Sequence, residues 1–244
     1  MLYSKIIIIA LNFLDYFQQK KIIKLINKKF LKPIVVFDVG AHYGETIKLF
    51  HKKLKIQKIY SFEASSKNYQ ILQKNISKYH SKNIEIYNYG IGEKLSKSYI
   101  NQTLESSSST INELNVSSKY FKKKLKILNI KNKNSFHYKI PINIITLDYF
   151  IEKKKITNID LLKIDTEGYE FNVLKGLSKH NQKIKLVYFE HHYDDMIVKN
   201  YFFSDIHDFL SKNNFKKIYK SKMPFRKTFE YIYVNKNYKK IDYQ

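Results

Sequence analysis

Residues 37–46 read FDVGAHYGET, which sets Asp38 two positions before Gly40 and places a second glycine, Gly44, four positions further on. An apolar run precedes this stretch and apolar residues at helical spacing follow it, so we expect a tight turn between a strand and a helix. Glycine adopts positive φ readily and lets a ligand approach the backbone. The spacing matches neither the GxGxxG dinucleotide fingerprint nor the P-loop, so a different ligand is expected.

The alternation of short apolar runs and helical segments continues along the chain after this turn. Continuous apolar strands that alternate with helices are typical of a parallel sheet covered on both faces, and we therefore predict a Rossmann-like α/β fold. The predicted strands are 34–40, 58–64, 84–90, 97–101, 140–147, 159–165, 183–192, 214–220 and 229–235, and the predicted helices are 44–54, 65–79, 119–128, 169–177 and 201–213. The last two strands would form a closing antiparallel pair.

The composition limits the classes of function. The 244 residues suffice for one domain with a buried core, and the absence of cysteine excludes disulfides and thiolate-bound metals. A formal net charge of +24 would suit a nucleic-acid partner, but Arg226 is the single arginine among 45 basic residues. Arginine is the residue that binds phosphate and guanine through two hydrogen bonds at once. We therefore predict no specific nucleic-acid partner, and we expect a cytoplasmic location.

Residues 1–32 form an N-terminal segment in which apolar residues recur at helical spacing between lysines. Its apolar run at 5–14 is shorter than the roughly 20 residues that span a bilayer, and no signal-peptide cleavage site follows it. We predict an amphipathic basic helix that either covers one edge of the domain or docks on an anionic membrane, at its inner face. Residues 33–244 would form a single domain, with about 93–145 as an insertion or lid.

Three successive strand ends carry residues that suit one nucleoside ligand. In an open parallel sheet, ligands bind beyond the carboxyl ends of the strands. Asp38 would attract a cation, Glu63 at the next strand end could accept both hydroxyls of a ribose, and the turn at 88–92, with Gly90 and Ile91, could hold an adenine. A sulfonium nucleoside with an α-amino group meets all three conditions. The sequence therefore predicts a class I S-adenosylmethionine pocket.

Six motifs between residues 34 and 192 follow one another in a characteristic order. They are VFDVGAHYGET (36–46), YSFEAS (60–65), NYGIG (88–92), ITLDYFI (145–151), IDLLKIDTEGYEFNVLKG (159–176) and LVYFEHH (186–192). With them the chain resembles the FkbM family of S-adenosylmethionine-dependent methyltransferases. The resemblance implies the class I methyltransferase fold, a mostly parallel seven-stranded sheet with helices on both faces, and O-methylation of sugars, polysaccharides or natural products.

The resemblance also implies roles for individual residues. His42 stands where the family commonly has Asn, and Ala64 where it commonly has Pro. Both departures would affect details of cofactor binding, and neither removes a carboxylate. Including these two positions, the predicted cofactor-binding residues are Asp38, Gly40, His42, Gly44, Glu63, Ala64, Gly90 and Ile91.

The methyl-transfer site would lie at the ends of the fourth and fifth parallel strands. There the resemblance implies Asp165, Glu167 and Glu190, and the sequence adds His191 and His192. A sugar hydroxyl is weakly acidic, so its methylation needs a base or a metal ion. Either a histidine, preferably His191 or His192, or a carboxylate acts as the base, or the three carboxylates bind Mg²⁺ or Mn²⁺. Because side chains alternate along a strand, we do not expect both histidines to face one site.

Two functions of other classes stay open at this level. A nucleic-acid or protein methyltransferase would share the fold, although the chain lacks the Pro-Pro turn common in base N-methyltransferases. A catalytically inactive, membrane-associated scaffold is the other alternative, although acids at every ligand position disfavour it. We predict an O-methyltransferase that acts in polysaccharide biosynthesis on a small-molecule or glycan acceptor. The oligomeric state is not predicted.

Overall fold

The computed structural model describes residues 18–79, 81–132 and 135–238. The strands are β1 (Ile34–Val39), β2 (Ile56–Phe62), β3 (Ile84–Tyr87), β4 (Gly90–Ile91), β5 (Ser96–Thr103), β6 (His137–Ile145), β7 (Ile159–Ile164), β8 (Ile184–His192), β9 (Phe215–Lys222) and β10 (Thr228–Asn235). The helices are α1 (18–29), α2 (Glu45–Lys53), α3 (Ser66–Ile76), α4 (Lys119–Leu128), α5 (Leu147–Lys153), α6 (Glu170–Lys175) and α7 (Phe203–Lys212).

Seven strands form one large sheet in the order β3-β2-β1-β7-β8-β10-β9. The first five are parallel to their neighbours, and β10 runs antiparallel to both β8 and β9. The predicted seven-stranded, mostly parallel sheet is therefore confirmed. The order reverses between β1 and β7, because β1 to β3 extend to one side and the later strands to the other. Ligands of open α/β sheets bind at such a reversal, beyond the carboxyl ends of the strands.

Helices cover both faces of the sheet, as predicted. One face packs against α5, α6 and α7 through buried residues such as Phe150, Val173 and Ile206. The other face packs against α1, α2 and α3, where Phe50 and Leu72 are buried. The β-strands between these layers are apolar on both sides, which is why β1 and β7 are buried along their whole length.

Helix α1 is part of the core of the domain. Ile22, Ile23, Ile26 and Phe30 are buried in the same cluster as Val36 of β1. The apolar face of the predicted amphipathic helix thus packs on the sheet, while its lysines face outward. Residues 1–17, which belong to the same prediction, lie outside the described residues. Within the described ranges no helix has the length and hydropathy needed to cross a bilayer.

The region predicted as an insertion contains a second, three-stranded sheet in the order β4-β6-β5, together with α4. The prediction of one strand over 84–90 was wrong in detail, because β3 ends at Tyr87 and Gly90 belongs to the small sheet. Asn88 explains the break: its side-chain amide donates to the carbonyl oxygens of Glu63 (2.8 Å) and Ala64 (3.1 Å), so the chain leaves the ladder there.

Candidate active site

A cleft opens at the carboxyl edge of the large sheet, beside the reversal of strand order between β1 and β7. It has about 610 Å³ of space between its lining atoms, part of it open to solvent. The ends of β1, β2 and β7, strand β4 and a serine-rich loop line it. Of the predicted site residues, Gly40, His42, Glu63, Ala64, Gly90, Ile91, Asp165 and Glu167 line the cleft, whereas Asp38, Gly44, Glu190, His191 and His192 do not.

The glycine turn brings the first and fourth parallel strand ends into contact. Gly40 has φ +87°, and a Cβ atom there would lie 1.8 Å from the backbone oxygen of Asp165. No other residue could stand at this position without displacing the β7 end. Gly44 has φ +93° and begins α2, but it packs against Leu72 rather than facing the cleft. The backbone around Gly40 therefore lines the cleft, whereas Gly44 lies on the side of the turn that packs against α3.

Glu63 presents a buried carboxylate to the cleft. One oxygen accepts the backbone N–H of His42 (2.8 Å) and the other accepts that of Ser65 (2.9 Å), so the carboxylate is held in one orientation. The side chain is 5% exposed, and burial raises its pKa to about 7, although the two N–H donors oppose this shift. Ser65 also caps α3 by accepting the N–H of Asn68.

Asp38 lies behind the cleft and is connected to it through Lys163. It is fully buried, accepts a hydrogen bond from Ser61 (3.3 Å) and lies 3.6 Å from the amino group of Lys163. The same amino group contacts Asp165 at 3.2 Å, and Asp165 lines the cleft. Burial raises the pKa of Asp38 to about 6, while Lys163 opposes the shift. Lys163 thus joins the acid of the first strand to the acid of the fourth.

The turn after β7 holds Glu167 in the cleft. Glu167 and Gly168 both have positive φ, +49° and +89°. The fully buried Glu170 fixes this turn, because it accepts the N–H of Gly168 (2.8 Å) and the hydroxyls of Thr166 (3.2 Å) and Tyr201 (2.7 Å).

Glu167 and His192 form a buried ion pair. His192 Nε2 lies 3.4 Å from Glu167, and its Nδ1 lies 3.6 Å from Asp194 and 3.1 Å from the hydroxyl of Thr228. Burial raises the pKa of Glu167 to about 7, and the charge of His192 opposes that shift. Although burial opposes it, the two carboxylates raise the pKa of His192 to about 10. At neutral pH the imidazole is therefore protonated and cannot accept a proton.

His191 lies on the opposite face of β8, as the alternation of side chains along a strand requires. It is 3% exposed and packs among the rings of Tyr193, Tyr201 and Phe203 at centroid distances of 4.7, 5.9 and 5.8 Å. This burial lowers its pKa to about 3, so it stays neutral. Neither histidine has the position and protonation state that a general base needs.

The predicted Mg²⁺ or Mn²⁺ site on Asp165, Glu167 and Glu190 requires correction. The part of the chain that the structure describes contains no group of three or more His, Asp or Glu side chains that could hold a metal ion. Asp165 contacts Lys163 and Glu167 contacts His192, so cationic side chains stand where a metal would be needed. Glu190 lies outside the cleft, and burial raises its pKa well above the usual range, which favours the neutral acid.

The serine-rich loop, residues 105–110, borders the Glu63 end of the cleft. Ser106, Ser107 and Ser109 line the cleft, and the hydroxyl of Ser106 lies 2.7 Å from His42 Nε2. Glu105, at the start of the loop, forms an ion pair with Lys124 of α4 at 2.6 Å. The loop's far end is tied to the turn after β7, because Thr110 donates to the backbone oxygen of Glu167 (2.7 Å).

Three polar residues of this site were missed by the sequence analysis: Lys163, Asp194 and Asn68. Lys163 lies in an apolar strand motif, two residues before Asp165. Residues i and i+2 share a face of a strand, and this spacing was the one sequence feature that could have placed Lys163 beside Asp165. Asp194 follows β8 in a loop whose course the sequence does not reveal. Asn68 lies on α3 and points into the cleft beside Glu63.

Comparison with known proteins identifies related sequences and folds. A family model described as the methyltransferase FkbM domain matches residues 38–217. No curated protein matches the chain by sequence. Among solved structures, an FkbM methyltransferase from Methylobacillus flagellatus KT superposes with a TM-score of 0.53 at 16% identity, over 84% of this chain and 44% of that one. An rRNA methylase from Streptococcus thermophilus gives 0.50 at 9% identity, over 87% and 93%.

At these identities the structural likenesses show the fold, which is that of class I methyltransferases. The chain spans less than half the length of the Methylobacillus protein, so that protein contains a large part without a counterpart here. The matched family segment begins at Asp38 and ends in β9, and it therefore includes every residue that lines the cleft.

Proposed function

The chain belongs to the FkbM family of S-adenosylmethionine-dependent methyltransferases, and we propose that it transfers the methyl group to oxygen, on a hydroxyl of a sugar or a surface-polysaccharide precursor. The observation that carries this proposal is the cleft itself. It holds a fixed carboxylate, Glu63, at one end and a second carboxylate with a pKa near neutrality, Glu167, at the other.

The residues of the cleft fit the cofactor. Glu63 has both oxygens oriented by backbone N–H groups and can still accept two ribose hydroxyls, because a carboxylate has four acceptor positions. Ala64, Gly90 and Ile91 offer a flat apolar surface beside it for the adenine. The backbone at Gly40 is accessible because no side chain covers it. Asp165 is the acid in the cleft that could meet the positive end of the cofactor, since Asp38 is buried behind it.

Glu167 is the general base in this proposal. When bound, S-adenosylmethionine supplies an electrophilic methyl group, which passes to the acceptor oxygen as the sulfur retains the electron pair of the broken bond. Glu167 takes the proton of the acceptor hydroxyl, and a pKa of about 7 lets it be ionised before the reaction and accept a proton during it. The protonated His192 stays charged throughout and holds Glu167 in place.

The polar side of the cleft supports a hydroxyl-rich acceptor. Ser106, Ser107, Ser109 and Thr166 bring four hydroxyls to it. Those of Ser106, Ser109 and Thr166 already donate within the protein, so they would meet a sugar as acceptors. Sugars present the same kind of group at similar density, so paired hydrogen bonds can replace water without leaving buried groups unsatisfied. The resemblance to FkbM proteins that methylate sugars points to the same class of acceptor.

The test separates cofactor binding from transfer. We expect titration calorimetry to show binding of S-adenosylhomocysteine to the wild-type protein, and Glu63→Ala to weaken it by roughly 10- to 100-fold through loss of two hydrogen bonds to a charged group. Glu167→Gln should bind the same ligand normally and lose transfer by a factor of at least about 100. Transfer would be measured with methyl-labelled cofactor against a panel of nucleotide sugars and glycans.

Three results would contradict the proposal. The first is the absence of heat and of thermal shift with S-adenosylhomocysteine. The second is wild-type turnover in Glu167→Gln. The third is a labelled product in which the methyl group is bonded to nitrogen of a nucleic acid or a protein rather than to a sugar oxygen.

A further inference from the structure

We propose that the protein docks on an anionic lipid bilayer through a basic rim beside the mouth of the cleft. The basic rim comprises the exposed side chains Lys119, Lys122, Lys123 and Lys126 of α4 and Lys222, Phe225 and Lys227 of the β9–β10 hairpin. This proposal rests on the proposed function and adds to it: docking on a bilayer implies that the sugar acceptor is attached to a lipid.

The two segments that carry the basic rim are uniformly basic. Residues 114–136 contain seven lysines and residues 214–227 contain five lysines and Arg226, and neither segment has an acidic residue, although the chain has 21 in all. The six lysines of the rim are exposed. Among the described residues none of them has an ion-pair partner, whereas Lys124 of the same helix pairs with Glu105. Their charge is therefore available to an external anion.

Phe225 gives the rim an apolar anchor. It is 85% exposed, more than any other large apolar side chain in the described ranges, and its φ is +59°, a conformation that a bulky residue rarely adopts. The turn that carries it is well fixed, because Met223 donates to Thr228 (2.9 Å) and Arg226 to Met223 (3.3 Å) through their backbones. Folding alone does not explain a strained phenylalanine held out into water.

The rim borders the acceptor end of the cleft. The N–H of Tyr193, which follows His192 directly, donates to the backbone oxygen of Lys227 (2.7 Å), so the hairpin turn lies next to the Glu167–His192 pair. Phe121 of α4 lies in one buried cluster with Met196 and Ile197 of the loop that follows β8. The helix and the hairpin therefore both contact this loop, in which Asp195 is exposed and adds one negative charge.

A bilayer fits this surface better than a nucleic acid does. Lysines act as point charges that attract a diffuse anionic surface, while readers of nucleic acid rely on arginine, and Arg226 is the single arginine in the two segments. A phenylalanine between lysines matches the interfacial anchors of peripheral membrane proteins. Helix α1 also carries exposed lysines, and Leu31 just after it is 51% exposed, so the experiment must separate that surface from the rim.

The experiment is co-sedimentation of the full chain with vesicles of phosphatidylcholine alone or of phosphatidylcholine with phosphatidylglycerol. We expect binding to the anionic vesicles only, and weaker binding at high salt. Phe225→Ser should weaken it roughly tenfold, and Lys222→Glu with Lys227→Glu should weaken it by at least about 25-fold, since each lysine near the surface contributes about fivefold.

Matched controls lie at the opposite edge of the sheet. Leu31→Ser removes an apolar side chain that is 51% exposed, and Lys52→Glu with Lys53→Glu reverses two exposed charges at the end of α2. Both controls should bind as the wild type does. Equal binding to neutral vesicles, wild-type binding by the rim variants, or equal loss in the controls would each overturn the proposal.

Failure of the docking proposal and failure of the proposed function are distinguishable. Binding of S-adenosylhomocysteine and methylation of a water-soluble glycan are measured without vesicles. If both persist while vesicle binding is absent, the docking proposal alone is overturned. If vesicle binding behaves as expected, docking is supported even where the ligand does not bind.

Discussion

Glu167 and His192 set each other's proton affinity, and this coupling defines the pH range in which the proposed base can work. In His192→Gln the positive charge 3.4 Å from Glu167 is gone, so the pKa of Glu167 should rise above its present value of about 7. The base must be ionised, and we therefore expect the ascending limb of the kcat/KM profile to move to higher pH by about one unit or more.

The control is His180→Gln, which removes a histidine 3.2 Å from a carboxylate, Glu152, at a site distant from the cleft. It should leave the pH profile unchanged, and both variants should bind S-adenosylhomocysteine as the wild type does. An unshifted ascending limb in His192→Gln would show that another group accepts the proton.

Lys163 and Asp38 show how far single residues could be interpreted from the sequence. The acid before the glycine turn was correctly singled out, but its contact with the cofactor was inferred from linear order. In the fold its side chain does not line the cleft, because it is fully buried against Ser61 and Lys163. A lysine in an apolar strand gives no sign of being buried. Only the parallel pairing of β1 with β7 places its amino group between two carboxylates.

Among the elements, the serine-rich loop at 105–110 is the one that we expect to act as a lid over the bound cofactor. It is tied to α4 by Glu105–Lys124, two side chains that are 18% and 21% exposed, and to the cofactor turn by Ser106–His42. Lys124→Met removes the first tie, and we expect S-adenosylhomocysteine to dissociate roughly tenfold faster as the lid opens more often. Stopped-flow displacement would measure the rate.

Lys123→Met is the matched control for the lid, since Lys123 is exposed on the same helix and has no ion-pair partner among the described residues. Its dissociation rate should equal that of the wild type. Equal rates in both variants would mean that the loop does not gate the ligand.

The elements themselves were largely predictable because their apolar patterns are strong. The alternation of buried strands and helices gave β1, β2, β7 and β8 within two residues of their observed ends. The prediction failed where a side chain replaced the backbone ladder, as Asn88 does after β3. The sequence analysis did not predict that β4, β5 and β6 form a second sheet. The pairing of β5 with β6 joins segments more than thirty residues apart, and such long-range pairing leaves no local pattern.

At the scale of the whole molecule, several groups of the site have pKa values that make the folded state less stable as the pH rises. Glu63 and Glu167 have pKa values of about 7, against an ordinary value of 4.5, so the native state binds more protons than the unfolded state between these values. His192, with a pKa of about 10 against 6.5, acts in the same direction above pH 6.5. His191 acts oppositely, but only between about pH 3 and 6.5.

We therefore expect the free energy of unfolding of the ligand-free protein to fall as the pH rises from about 6.5 to 8, because stability decreases wherever the native state holds the extra protons. One such group contributes about 1.4 kcal/mol over a full pH unit, which lowers Tm by about 3–5 °C in a chain of this size. The pH dependence of Tm should flatten in part in His192→Gln, because the loss of the histidine outweighs the raised pKa of Glu167, and should keep the wild-type slope in His180→Gln. A Tm that is constant or rises over this range would mean that the carboxylates of the cleft are ionised without penalty, and the base proposed at Glu167 would then lack its tuned pKa.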